Sequence, residues 1–229
     1  MNKFEKIRKS DVTRTRVLEA AIQAFARGGL QNASIAEIAR EAGLTSPAVY
    51  RYFSSKRDLY YGALEYDFDS IQNSVLRDME DSPLSAVNGE IFQNFVAKVD
   101  DHPLAKAAVI TRQPEILDFT AKLDSTKRIH EKLENDVKLG QKYGLIRSDI
   151  VVEVAMESAH FIYTHMLLPL LFEKKLNSPE WMKISNVLIA SLFHPMPDLT
   201  TPENFQKYVG RLDEVIGKIL TDRLNVGEF

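Results

Sequence analysis

The chain of 229 residues contains no cysteine. Disulfides, thiolate-bound metals and cysteine nucleophiles are thereby excluded, and a reducing compartment is compatible. Glycine (10) and proline (9) are both scarce, which favours helices over a turn-dense β architecture. The longest strongly apolar run, Met166 to Phe172, falls well below the roughly 20 residues of a membrane helix, so no membrane partner is expected. No apolar stretch follows the charged segment Met1 to Ser10, so the sequence predicts no secretory leader and a cytoplasmic protein. No convincing period-two alternation, internal repeat or low-complexity tract is found.

What remains is an ordinary globular composition, 45% hydrophobic and 27% charged, and enough chain for more than one domain. The charge is unevenly placed. Residues 1–60 carry 11 lysines and arginines against 6 acidic residues, a net of +5; with 29 and 32 in the whole chain, the remainder has a net of −8. A basic head on an acidic body suits a polyanion bound at one end. Chance segregation on solvated faces gives the same tally, so charge alone leaves both readings open.

Periodicity locates the helices. From Arg14 to Arg27, apolar residues fall at Val17, Leu18, Ala21, Ile22 and Phe25, one core-facing stripe that Gly28-Gly29 ends. Ser34-Ile35-Ala36-Glu37 reads as a capping box, with the serine oxygen taking a first-turn amide and Glu37 reaching back to the cap amide. That short helix presents Ile35, Ile38, Ala39 and Ala42 inward and stops at Gly43. Thr45-Ser46-Pro47 opens the next, over Ser46 to Phe53, with Pro47 where a free amide is dispensable and Val49 and Phe53 on the inner face. Ser54-Ser55 breaks it and supplies a cap for a helix from Lys56 toward Arg77. Further helices are predicted at 84–99, 103–112, 114–141, 149–175, 179–193 and 203–224. The expected class is all-α.

Two short helices joined by a glycine turn make a helix-turn-helix. Gly43 permits the turn, Ala39 and Ala42 let the helices cross closely, and the second helix offers Ser46, Tyr50, Arg51 and Tyr52 outward, where base edges and phosphates are read. The run Ser34 to Leu59 resembles the DNA-binding domain of the TetR family: Ile38-Ala39, Ala42-Gly43, Tyr50, Phe53, Lys56 and Leu59 stand where that family's pattern places them, after a helix with Ala20-Ala21, Phe25 and Gly28. The resemblance covers about residues 12–60.

It implies a three-helix DNA-binding domain over 1–60, with an N-terminal arm at 1–11, followed by a helical effector-binding and dimerisation domain over 61–229. It further implies a homodimer on a palindromic DNA operator, released by a small-molecule effector. Repression is favoured over activation, since occupancy alone blocks polymerase. The implied DNA contacts are Ser34, Thr45, Ser46, Pro47, Ala48, Tyr50, Arg51, Tyr52 and Lys56. Tyr50, Tyr52 and Ser34 would meet the backbone, and Lys56 a phosphate at a helix N-terminus. Arg51 would read a guanine edge, with a phosphate contact as its alternative. Many family members have glycine at the position of Pro47. Lys3, Lys6, Arg8 and Lys9 either enter a neighbouring groove or form a charged tail.

In the body, Phe205, Val209, Leu212, Ile216 and Ile219 form a stripe on the last helix. Val151, Val154, Ala155, Ile162, Met166 and Leu170 make the helix at 149–175 apolar over most of its circumference. The resemblance implies pairing through two such helices as a four-helix bundle. Phe92, Phe95, Val99, Ile110, Phe119, Leu123, Phe161 and His165 are the candidate effector-lining residues, each also compatible with plain core packing.

Two other classes compete: a helical metal-binding enzyme and a helical adaptor without DNA binding. Glu157-Ser-Ala-His160 has the spacing of a di-iron helix motif, but no second copy exists, the other histidines are scattered, and no phosphate loop or nucleophile elbow is present. No catalytic residue, resident metal or cofactor is expected.

Overall fold

The computed structural model describes residues 9–85, 89–168 and 202–226, together with Phe172, Pro179, Glu180, Lys183, Ile184 and Val187. Helices α1 to α5 span Lys9–Asn32, Ile35–Glu41, Ser46–Val49, Lys56–Asp78 and Glu90–Lys98. Helices α6 to α10 span Pro103–Thr111, Pro114–Ala121, Asp124–Lys142, Val152–Phe161 and Pro202–Val226. A 3-10 turn at Val99–Asp101 joins α5 to α6, and a π-helical turn at Ile162–Leu167 continues α9. No strand occurs among the described residues, in agreement with the all-α expectation.

The helices divide into two compact units, and the division falls inside α4. One unit is Met1–Ile71 with Lys98–Leu123; the other is Gln72–Ala97 with Asp124–Phe229. In the first, the α1 stripe is closed off from solvent: Val17, Leu18, Ala21 and Phe25 are all 1% exposed or less. Phe25, Tyr60, Tyr61 and Phe119 follow one another with ring centroids 5.1, 5.4 and 4.7 Å apart, linking α1, α4 and α7 by edge-on and tilted contacts. In the second, Leu84, Val137, Leu145, Ile146, Ala155, Tyr163, Leu212 and Ile219 form the core, and Phe92 stacks on Tyr163.

Several helix limits differ from those read off the sequence, each for a local reason. The first helix begins at Lys9 and continues past the glycine pair, but Gly29 (φ 65°, ψ −179°) breaks its helical path where the break was expected. The helix expected from 84 begins at Glu90, because Leu84 is left-handed (φ 62°) and completely buried. The single helix expected over 114–141 is two: at Lys122 and Leu123 the amides bond to Phe119 and Thr120, three residues back. The helix expected over 179–193 lies mostly outside the described residues, as do Leu170, the side chain of Phe205 and the arm residues Lys3, Lys6 and Arg8.

The stripe on α10 also has a different role from the one expected. Leu212 and Ile219 are buried and Val215 and Ile216 pack on the same core, so this face is consumed within the chain's own unit and is not free to pair.

One buried carboxylate fixes α6 to α4. His102 precedes α6 and gives its own first turn no side-chain cap, and Pro103 removes one orphan amide. The next two amides, of Leu104 and Ala105, donate to Asp67 Oδ2 at 3.0 and 2.9 Å, while His102 Nδ1 lies 2.9 Å from Asp67 Oδ1. Asp67 is only 4% exposed, so its charge is stabilised by those donors and by the positive end of α6. Asp67→Ala orphans two buried amides and is expected to lower stability by about 2–3 kcal/mol, read from the urea midpoint. Asp67→Asn, which keeps one acceptor oxygen, is expected to cost clearly less; equal losses would show that capping is not what Asp67 contributes.

Candidate nucleic-acid interface

Ser34 caps α2, accepting from the Glu37 amide at 3.5 Å. The reciprocal half of the expected capping box is absent: the Glu37 carboxylate lies 3.6 Å from the Arg27 guanidinium, which Glu41 also approaches at 3.6 Å. Gly43 turns the chain in the left-handed region (φ 67°), and the Leu44 amide bonds back to Ala39 at 2.8 Å. Thr45 is extended and Pro47 sits in the first turn of α3. Regular α geometry ends at Val49, earlier than the Phe53 expected. The path then tightens: the amides of Arg51 and Tyr52 bond to Ala48 and Val49, three residues back, before Phe53 bonds to Val49 at 3.2 Å.

This segment has two distinct sides. Ala48, Val49 and Phe53 are 7%, 0% and 3% exposed. Phe53 is held from two directions. The Arg14 guanidinium carbon lies 5.1 Å from its ring centroid. On α4, Gly62 leaves room for the ring, since a Cβ there would lie 3.2 Å from Phe53 Cε1. On the other side, Thr45, Pro47, Tyr50 and Arg51 are exposed, Tyr50 at 47%, and Ser46 and Tyr52 are half-buried. Ser34, at the start of α2, is exposed as well. Ala48 is the exception among the expected contacts: it is buried, on the side of the segment shared with Val49 and Phe53.

The start of α4 is capped by Ser55, and Asp58 in its first turn reaches back to Ser54. The Asp58 amide donates to Ser55 Oγ at 3.0 Å, and Asp58 Oδ2 accepts from the Ser54 amide at 2.7 Å and its hydroxyl at 3.0 Å. Lys56 Nζ donates to the Gln31 carbonyl at 2.9 Å, so one of its three protons ties α4 to the end of α1. Arg57 pairs with Glu115 and lies over the Tyr61 ring. The Tyr61 hydroxyl, then the Glu115 charge, raise its already high pKa. Tyr60 is also raised, chiefly by burial and then by Tyr61 and Glu115. Sequence reasoning found the serines but missed Asp58, although Ser55-x-x-Asp58 is a readable cap signal. Arg14, Gln31 and Gly62 left no local signal, because each acts on a residue distant in sequence.

Residues 17–61 match the family model for bacterial regulatory proteins of the tetR family. The N-terminal segment 17–61 is thus similar to the DNA-binding part of tetR-family regulators. A transcriptional repressor of Streptomyces coelicolor, SCO4008, is 35% identical over 74 residues, 32% of this chain and 38% of that protein. The transcriptional activator FasR of Mycolicibacterium smegmatis is 37% identical over 65 residues, 28% of this chain and 30% of the relative. The matches thus span about a third of these relatives' lengths. Among solved structures, the regulator FadR of Bacillus subtilis, in complex with stearoyl-CoA, aligns over 80% of this chain and 98% of its own with a TM-score of 0.60 at 18% identity. That alignment shows a shared fold.

Outside the TetR-like head, the eight expected effector-lining residues fall in different units. Phe92, Phe95, Phe161 and His165 belong to one, and Val99, Ile110, Phe119 and Leu123 to the other. Val99 and Leu123 are 1% and 7% exposed and act as core. Phe119 packs on Tyr61. Ile110 and Phe161 are 50% and 56% exposed, with Phe161 stacked on His165 at 4.8 Å. His160, of the Glu157-x-x-His160 motif, lies 6.5 Å from His130 between ring centroids. Desolvation, then the charges of His130 and His165, lower its pKa against the opposing pull of Glu157. Among the described residues no three histidine or acidic side chains are grouped to hold a metal ion.

Because Phe53 is the largest side chain on the buried side of this segment, Phe53→Ala is expected to cost about 3–5 kcal/mol, measured by chemical denaturation followed by circular dichroism. A loss below about 1 kcal/mol would show that Phe53 does not hold the segment in place.

Proposed function

We propose that the chain is a DNA-binding transcriptional regulator that acts as a homodimer, with α3 and the turn after it entering the major groove. The observation that carries this is the two-sided Ser46 to Phe53 segment, polar and aromatic outward and apolar inward. Arg51 is assigned to a base edge. Ser34, Thr45, Ser46, Tyr50, Tyr52 and the two remaining protons of Lys56 are assigned to phosphates, and Pro47 to an apolar contact.

A single head buries too little DNA for specific binding, and two heads about 34–36 Å apart match successive turns of the major groove. The pairing face we propose is the outer side of α9 and its π-helical extension. Val151, Val154, Phe161 and Met166 are 62%, 51%, 56% and 46% exposed there, large apolar groups at helical spacing that a second copy would cover. On α10, Gly210 and Gly217 are open on a face that also carries the exposed Leu220, so this face can meet a partner helix closely.

The effector is proposed to be a small molecule received in the body, with Phe92 and Phe95 of α5 as its apolar contacts; stearoyl-CoA in the FadR structure is one molecule worth trying. Operator release requires only that the ligand bind the protein with different affinities for the two head positions. Repression is the proposed sign, since occupancy suffices.

Selection of bound duplexes from a random pool by the intact protein tests the reading; a palindromic consensus is expected, and no enrichment at low salt would overturn it. On the selected site, Tyr50→Ala and Lys56→Ala are each expected to lower the salt-dependence slope by about one contact. Arg51→Ala is expected to relax preference at one base pair with a loss of about 1–3 kcal/mol in discrimination. An unchanged slope for Lys56→Ala would confine that residue to its Gln31 contact.

A further inference from the structure

The end of α4 and the first turns of α8 enclose an open groove of about 490 Å³, a volume within the range of small-molecule sites. Arg77 on α4, Arg128 and Lys132 on α8, and the apolar Leu76 and Met79 line it. The cations are not equivalent. Lys132 is already engaged: its ammonium donates to both oxygens of the buried Asp136, at 2.7 and 2.8 Å, and to the Ser82 carbonyl at 2.9 Å.

Arg128 donates to the neutral Asn73 side-chain oxygen, which orients the guanidinium without cancelling its charge. Neither Arg77 nor Arg128 forms an ion pair among the described residues; Asp124, which feels the Arg128 charge, is itself paired with Lys127. Glu80 is the one carboxylate among the residues that line the groove. Two planar, orientable guanidiniums beside apolar side chains match a phosphate group carried on an apolar body. They do so within residues 61–229, whose net charge is −8.

We propose that this groove is a binding site for a small organic phosphate, with the phosphate between Arg77 and Arg128 and the apolar body on Leu76 and Met79. The proposal is independent of the DNA-binding reading. Titration calorimetry of the intact protein with hexyl phosphate, inorganic phosphate and hexanol tests it. Hexyl phosphate is expected to bind more tightly than inorganic phosphate, and hexanol not to bind measurably.

The double variant Arg77→Ala, Arg128→Ala is expected to lose at least about tenfold in affinity for hexyl phosphate, and Glu80→Gln to gain about threefold by removing repulsion. All three side chains are exposed, so folding is expected to survive. Absence of hexyl phosphate binding, or equal affinity in the double variant, overturns the proposal. Should the double variant fail to fold, unchanged or weaker binding by Glu80→Gln overturns it as well.

Discussion

A helix of four residues has no stability of its own; nucleation is unfavourable, and two hydrogen-bonded turns do not offset it in water. The Ser46–Val49 helix therefore exists only because its inner edge is buried. Val49 and Phe53 supply that edge, and the space they occupy is made by Gly62 on α4 and bounded by Arg14 on α1. Everything exposed on the other side, Tyr50 and Arg51 above all, takes its position from this contact. The same constraint explains why regular helix stops at Val49: tighter bonds at Arg51 and Tyr52 bring Phe53 back to the core.

The head does not end where its motif does. Asp67 binds the amides that open α6, α6 packs on α1, and the aromatic series from Phe25 to Phe119 ties in α7. The compact unit that carries the DNA-facing segment accordingly includes residues 98–123. A carboxylate buried among three donors makes this attachment stiff. Movement of α6 is thus movement of the unit that holds α3. The proposed functional division after residue 60 remains a statement about which residues touch DNA.

Sequence reading succeeded where the information is local. The stripe on α1, the Ser34 cap, the turn at Gly43 and the inward pair Val49 and Phe53 follow from spacing of three and four and from the conformations that serine and glycine favour. It failed where distant residues decide. Leu84 looks like a helix start until its left-handed backbone is seen buried in the core. Leu212 and Ile219 form a stripe that suits a partner or the chain's own core equally well; the structure spends it on the core. Ala48 was grouped with its exposed neighbours, although its register places it with Val49. The eight positions expected to line one cavity shared only residue type, and they divide between the two compact units. Asp67 had no sequence signal at all, because the helix it caps begins 36 residues later.

The central claim is that paired copies of this chain present the Ser46 to Phe53 segment to two successive major-groove turns. Sedimentation velocity of the intact protein with a duplex bearing two preferred half-sites one helical turn apart examines it directly. The account predicts a complex of two chains per duplex that dissociates steeply as salt rises. A single chain sedimenting apart from every duplex in dilute buffer would contradict it.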